Sequence, residues 1–251
     1  MAFVLMKIFE ESPRRFDRGM QLLTLGRLRK IQERITERLI APDSEVLEIG
    51  CGTGHLLTKL AERGARVVGI DAAEGMIEIA REKLAQAGSS ADRAVAKKLH
   101  ALQVEDEFEP ESFDRVISVL ALSEMTDDEI DCLLPQCRRV LRSGGRLILA
   151  DEVEPDGFFR CLLYRLYRHT ARLVTYLGLQ AVDLKEARLL IKILYFVIEL
   201  PLMLLAFVVA PPLTHPLRNL EQRLRRCGFQ SVVSEQYLGG SLRLFTAEVP
   251  S

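Results

Sequence analysis

Hydrophobic positions along this chain switch period repeatedly, and the switches mark strands alternating with helices. Leu22, Leu25, Leu28, Ile31, Ile35 and Leu39 recur at helical spacing, which predicts an amphipathic helix over 19–40. Val46, Leu47 and Ile49 then make a short apolar run. A second run, Val67, Val68 and Ile70, follows a helix predicted over 55–63. Gly64 stops that helix, and Gly88 stops the next one, over 73–87. Two more apolar runs, 116–119 and 147–150, flank a helix that ends near Leu141. Its start is signalled by Thr126-Asp127-Asp128-Glu129, a capping box. After a last helix, 229–233 and 242–249 read as two further strands. Strands that alternate with helices in this way predict an α/β domain built on a parallel sheet.

Between the first strand and its helix stand Gly50-Cys51-Gly52-Thr53-Gly54. A strand that turns sharply into a helix while a ligand presses on its backbone needs residues without Cβ. The second strand ends in Asp71, whose carboxylate suits two vicinal ribose hydroxyls. The spacing is G-x-G-x-G, with His55 where a dinucleotide fingerprint needs its third glycine. A nucleoside-bearing cofactor other than a dinucleotide is the reading that follows.

The stretch 46–54, acidic Glu48 included, resembles motif I of the class I S-adenosylmethionine-dependent methyltransferases, with Asp71 as their ribose-binding acid. Ser112-Phe113-Asp114-Arg115-Val116 resembles the family's fourth strand. The block 138–149 resembles its helix-turn-strand, with Ser143 where proline is usual. Within that block Gly144-Gly145 suits a helix C-cap and turn, and Arg138, Arg139 and Arg142 complement the helix dipole. The resemblance covers roughly 44–151. It implies a Rossmann-like fold of seven mostly parallel strands, the last antiparallel, with helices on both faces and S-adenosyl-L-methionine as cofactor. It also implies cofactor contacts from Glu48, Gly50, Cys51, Gly52, Thr53, Gly54, Asp71, Ala72, Met76 and Leu120. Phe16-Asp17-Arg18-Gly19 and the segment 239–245 are similar to the ubiquinone/menaquinone C-methyltransferases. A cap over the cofactor is thus one reading of 1–43, beside a plain packing helix. Family members carry an acidic residue near the adenine after the third strand. The segment 94–104 has no match for it, and Glu105-Asp106-Glu107 reads as a solvated loop.

Composition narrows the rest. With 251 residues, 48% of them hydrophobic, the chain has room for one α/β domain with additions. Its 34 basic and 35 acidic residues give a net charge of -1, which offers nothing to nucleic acid. Five scattered cysteines without a C-x-x-C pair fit a reducing compartment and argue against a structural metal. Residues 1–6 are apolar but lack a basic leader, so the expected location is cytoplasmic. The expected organisation is a single domain over 1–251. It comprises an N-terminal cap (1–43), a cofactor-binding core (44–154), an inserted helical subdomain (155–214), and a last helix with two strands (215–251).

The insertion is the second informative feature. Arg160, Arg165, Arg168 and Arg172 fall on one side of a predicted helix, with Phe159, Leu162, Leu163, Leu166, Leu173, Val174 and Leu177 opposite. A basic amphipathic helix of this kind reads as membrane-surface binding, against a helix packed on the domain with solvated arginines. The apolar segment 193–210 approaches the ~20 residues of a span. Glu199 and Pro201 interrupt it, however, and a single crossing would separate the last two strands from their sheet. It is read as a bent helical pair that dips into the interface or covers the acceptor, with a core helix or a dimer surface as alternatives. The expected location is therefore the inner face of a membrane; the oligomeric state is open.

Methyl transfer from a sulfonium expels a neutral thioether, so the protein mainly positions the reactants and excludes water. A base matters only if the acceptor loses a proton. The candidates are Asp151 and Glu152 at the tip of the fifth strand, Glu124 after the fourth, and His55. The expected acceptor is a lipophilic, membrane-derived molecule such as a quinone precursor. The alternatives are a phospholipid N-methyltransferase and a catalytically inactive cofactor-binding protein.

Overall fold

A computed structural model describes residues 17, 21, 24, 26–153, 217–237 and 240–251. Seven strands form one sheet in the order β3-β2-β1-β4-β5-β7-β6. These are β1 (Glu45–Ile49), β2 (Arg66–Asp71), β3 (Ala94–Lys98), β4 (Phe113–Val119), β5 (Leu141–Glu152), β6 (Gln230–Tyr237) and β7 (Leu242–Glu248). The five strands from β3 to β5 pair in parallel, and β7 runs antiparallel to both β5 and β6. The expected fold class holds, including the antiparallel last strand.

Helices cover both faces. On one side α1 (Arg27–Arg34), α2 (His55–Glu62) and α3 (Glu74–Gln86) bury Ile31, Leu57, Leu60 and Ile77 against Val46, Ile117 and Ile148. On the other, α5 (Asp127–Val140) and α6 (Leu220–Arg226) bury Ile130, Leu133, Leu134 and Leu224 against Leu47, Val116 and Leu147. A one-turn helix, α4 (Val104–Glu107), lies between β3 and β4. Successive strand residues point to opposite faces, so β1 is buried on both sides and reads as a continuous apolar run. Each fully buried Leu or Ile contributes about 1.5–3 kcal/mol, which makes the two-sided central strands the main source of stability.

Three local expectations are corrected. The helix predicted over 19–40 is interrupted. Gly26 adopts φ 71 at the N-cap of α1, and beyond Arg34 the helix loosens into a π-helical turn, Ile35–Leu39. Left-handed backbone at Gly26 cannot continue a right-handed helix. Gly144-Gly145 do not cap α5, which ends at Val140 with Leu141 already extended. They instead shape a turn at the start of β5, where Gly144 N–H donates to Val249 O (3.2 Å) and Val249 N–H donates to Gly145 O (2.9 Å). A Cβ on Gly145 would stand 2.7 Å from the Arg142 carbonyl. Glu105, Asp106 and Glu107 are exposed as expected, but they lie in α4 and not in a loop.

The capping box forms as expected, with Thr126 Oγ1 accepting from Glu129 N–H (3.3 Å) and Glu129 Oε2 accepting from Thr126 N–H (2.8 Å). The insertion expected over 155–214 lies outside the described residues. The residues on either side of it meet: Val153 and Leu217 form a parallel bridge, with Leu217 N–H donating to Glu152 O at 2.8 Å. Residues 153 and 217 therefore lie side by side at the carboxyl end of β5.

Candidate active site

At the carboxyl ends of β1, β2 and β4 the backbone turns away from the sheet and leaves a cavity of about 760 Å³. That lies within the ~300–1,000 Å³ usual for small-molecule sites. Glu48 lines it from the end of β1 and Gly50, Cys51, Gly52 and Thr53 from the turn that follows; Asp71 lines it from the end of β2, Ala72 from the next turn and Met76 from α3. Leu120 and Glu124 line it after β4, and His55 opens α2 at its edge. Gly54, Asp151 and Glu152, which the sequence also nominated, do not line it.

Two of the three glycines also meet protein at close range. A Cβ at Gly50 (φ 71) would stand 2.3 Å from the Cβ of Ala121, and one at Gly54 (φ 75) would stand 2.8 Å from the Cβ of Ala80 in α3. Both are small because protein packs on them: Gly50 receives the turn after β4, and Gly54 lets α2 meet α3. Gly54 thus takes the helix-packing part that the third glycine plays in a dinucleotide turn.

Asp71 ties the two turns together. Its Oδ2 accepts from Gly52 N–H and its Oδ1 from Ala73 N–H, each at 2.9 Å. Each oxygen keeps a further lone pair for a ligand hydroxyl. Deeper in the cavity Glu48 is 3% exposed, and its Oε2 has no hydrogen-bond partner. Burial first, and then the nearby Asp71, push its carboxyl well above the ordinary range. An orphaned buried acceptor facing a cavity fits a ligand that brings donors or positive charge. Cys51 is buried beside both carboxylates, which holds its thiol protonated and inert. Partial desolvation and neighbouring Lys59 lower the His55 pKa, keeping that imidazole neutral.

Sequence reasoning missed several lining residues. After β3 come Leu99, His100 and Ala101. His100 N-caps the next turn: its Nδ1 accepts from Leu102 N–H, and Gln103 Oε1 accepts from His100 N–H, both at 3.3 Å. That His-x-x-Gln spacing, a capping box just after β3, is the local signal that could have marked this turn. Met125 and Glu129 add a wall from the start of α5. On the N-terminal side Asp17, Gln21, Leu28 and Gln32 close the cavity. Thr53 Oγ1 donates to Asp17 Oδ1 at 2.7 Å. Lys83 Nζ donates to Asp17 Oδ2 at 2.7 Å and to Thr53 Oγ1 at 2.9 Å. The cap reading of the N-terminal segment thereby gains a physical contact, although Phe16, Arg18 and Gly19 lie outside the described residues.

Of the four nominated bases, Glu124 and His55 face the cavity. Asp151 is 1% exposed, and its oxygens are engaged by backbone: Oδ2 accepts from Leu122 N–H (2.8 Å) and Ser123 N–H (3.1 Å), and Oδ1 from Glu152 N–H (2.7 Å). Among the described residues no cluster of His, Cys, Asp and Glu could hold a metal ion.

Comparison with known proteins agrees with this geometry. Residues 46–145 match the methyltransferase domain family. The chain is 35% identical over 112 residues to an uncharacterized methyltransferase of Bacillus mycoides, covering 44% of this chain and 48% of that protein. It is 31% identical over 150 residues to a demethylmenaquinone methyltransferase of Clavibacter sepedonicus, covering 59% and 58%. The matches thus span about half the length of these curated relatives. A solved SAM-dependent methyltransferase from Thermotoga maritima has the same fold, with TM-score 0.57 and 21% identity over 96% of this chain and 98% of that one. Over residues 46–145 the chain is thus similar in sequence to methyltransferase domains, and its sheet has the fold of a solved one.

Proposed function

We propose that the whole chain transfers a methyl group from S-adenosyl-L-methionine to a lipophilic small molecule. The observation that carries the transferase reading is the pairing of Asp71, which bonds both turns, with the orphaned Glu48 carboxyl in one cavity. Asp71 offers acceptors to a ribose, Met76 and Leu99 offer apolar faces to a base, and Glu48 offers an acceptor to a cationic amino-acid tail. The cofactor, when bound, supplies an electrophilic methyl group on sulfur. The chain's own contribution is to orient that group and to exclude water at the wall that Asp17, Gln21, Leu28 and Gln32 supply. If the acceptor must lose a proton, Glu124 or neutral His55 stands at the cavity to take it.

A lipophilic acceptor is supported by the basic amphipathic pattern of 157–182, by the apolar run 193–210, and by similarity to a protein named demethylmenaquinone methyltransferase. Both segments lie outside the described residues. Among those described, no helix is long and apolar enough to cross a membrane. Incubation with labelled S-adenosylmethionine and a total membrane lipid extract tests the proposal. A labelled quinone-type product is expected. A labelled phospholipid would make it a phospholipid N-methyltransferase. No label, with S-adenosylhomocysteine still bound, would leave a cofactor-binding protein without catalysis.

A further inference from the structure

Asp151 points away from the chemistry the sequence offered it and toward the turn that follows β4. That turn is under strain. Leu120 adopts φ 59, a left-handed conformation that a leucine rarely occupies. Its N–H still donates to Ala150 O (2.8 Å), so the strand hydrogen bonding continues through the strained residue. One residue on, Ala121 presses on Gly50, where no side chain would fit. Two residues further, the N–H groups of Leu122 and Ser123 both end on Asp151 Oδ2.

We propose, building on the transferase reading, that Asp151 is a positioning residue. Its ionised carboxylate pins the 120–124 turn against the glycine turn and so fixes the cavity wall that Leu120, Ala121 and Glu124 supply. A residue kept only for stability is a poor explanation of this carboxylate. Burial raises its pKa to about 6, against hydrogen bonds from Ser123 and Glu152 that lower it, and the neighbouring Glu152 charge adds to the rise. An ionised group buried in this way weakens the fold at neutral pH, so what it returns is geometry. The charged groups near it are Glu152 on its own strand, Glu124 in the turn, and Arg243, its cross-strand partner on β7. Leu217 N–H donates to the carbonyl of the next residue, Glu152. The same strand end therefore holds both the turn and Leu217.

Amide hydrogen exchange at Leu122 and Ser123 tests the proposal in wild type, Asp151→Asn and Asp151→Ala, without any ligand. When the turn opens while Asp151 stays buried on β5, two N–H bonds that favour its ionised form are lost. Wild-type protection corrected for intrinsic rate should therefore fall about tenfold or more between about pH 8 and pH 5, with a midpoint near 6. Asp151→Asn keeps one acceptor oxygen and should show constant protection over the same range. Asp151→Ala should be unprotected throughout and should bind S-adenosylhomocysteine about tenfold more weakly. Equal protection of the wild-type amides at both ends of the range would overturn the proposal, as would an Asp151→Asn profile that still titrates. Should Asp151→Ala fail to fold, the wild-type and Asp151→Asn profiles decide the matter. Wild-type protein that binds no S-adenosylhomocysteine would defeat the transferase reading alone, since the exchange result needs no cofactor.

Discussion

The Thr53 hydroxyl donates to the Asp17 carboxylate at 2.7 Å, joining residues 36 positions apart and laying the N-terminal segment against the glycine turn. Lys83 completes a triangle with both. These groups are roughly one-third exposed, so the ion pair adds well under ~1 kcal/mol to the fold. Asp17→Ala should therefore unfold within about 1 kcal/mol of wild type in urea. Its affinity for S-adenosylhomocysteine should fall about three- to tenfold, because Asp17 itself lines the cavity and holds Thr53 and Lys83 there. Unchanged affinity by calorimetry would reduce the triangle to a surface contact.

Asp71→Ala removes the acceptor of two turn N–H groups along with those offered to a ribose. Charge-assisted hydrogen bonds of this kind contribute about 1.5–3 kcal/mol each, so affinity for S-adenosylhomocysteine should drop at least tenfold. A folded Asp71→Ala protein that binds as tightly as wild type would place the cofactor elsewhere.

Gly50→Ala should destabilise by about 1–3 kcal/mol, since the new Cβ meets Ala121 and the residue must keep φ 71. Adding Ala121→Gly removes the collision and leaves the backbone strain. The double variant should recover part of the loss but not all of it. Thermal melts of the two proteins read this directly, and a fully wild-type Gly50→Ala melt would show that the turns do not meet as described.

Stability should depend on pH through Asp151. Its folded pKa of about 6 lies above the ordinary 3.8, so the folded state binds more protons than the unfolded chain between those values. The resulting stabilisation is present below about pH 4 and is lost as pH rises through 6. Between about pH 4 and pH 7.5, wild type should lose about 2 kcal/mol relative to Asp151→Asn. Urea midpoints at the two pH values measure the difference, and parallel curves would mean that Asp151 does not titrate in this range.

Membrane association, part of the proposed function, should separate into two components. Replacing Arg160, Arg165, Arg168 and Arg172 by glutamine should weaken binding to anionic liposomes strongly, at about 1 kcal/mol per basic residue, and to neutral ones little. Flotation of wild type and the quadruple variant reads both. Wild-type protein that stays at the bottom of both gradients would favour a water-soluble acceptor.

The strands and helices of the core were legible because their signals are local. The two-sided apolar runs of β1 and β4, the glycines after α2 and α3, and the Thr126–Glu129 box each act within a few residues. The resemblance of 46–54 and 138–149 to a known family supplied the strand count, the cofactor and Asp71. Where a short-range signal had two uses, the wrong one was easily read. Gly144-Gly145 looked like a helix cap and shape a strand entrance. The run 19–40 kept its helical period through Gly26, whose left-handed backbone starts a helix there and does not continue one.

What the sequence by itself determined is therefore the α/β alternation, the glycine turn and the acid that ends β2. Only the tertiary structure decided which glycine faces protein, which carboxylate faces the cavity, and that Asp17 meets Thr53. The strand order sets β4 between β1 and β5. The turn after β4 is thereby trapped between Gly50 on one side and Asp151 on the other, positions 101 residues apart that share no local pattern. A carboxylate at a strand tip looks the same in sequence whether it opens to a ligand or closes on backbone N–H groups. Its burial and its partners make the difference, and both arise only when the sheet is assembled.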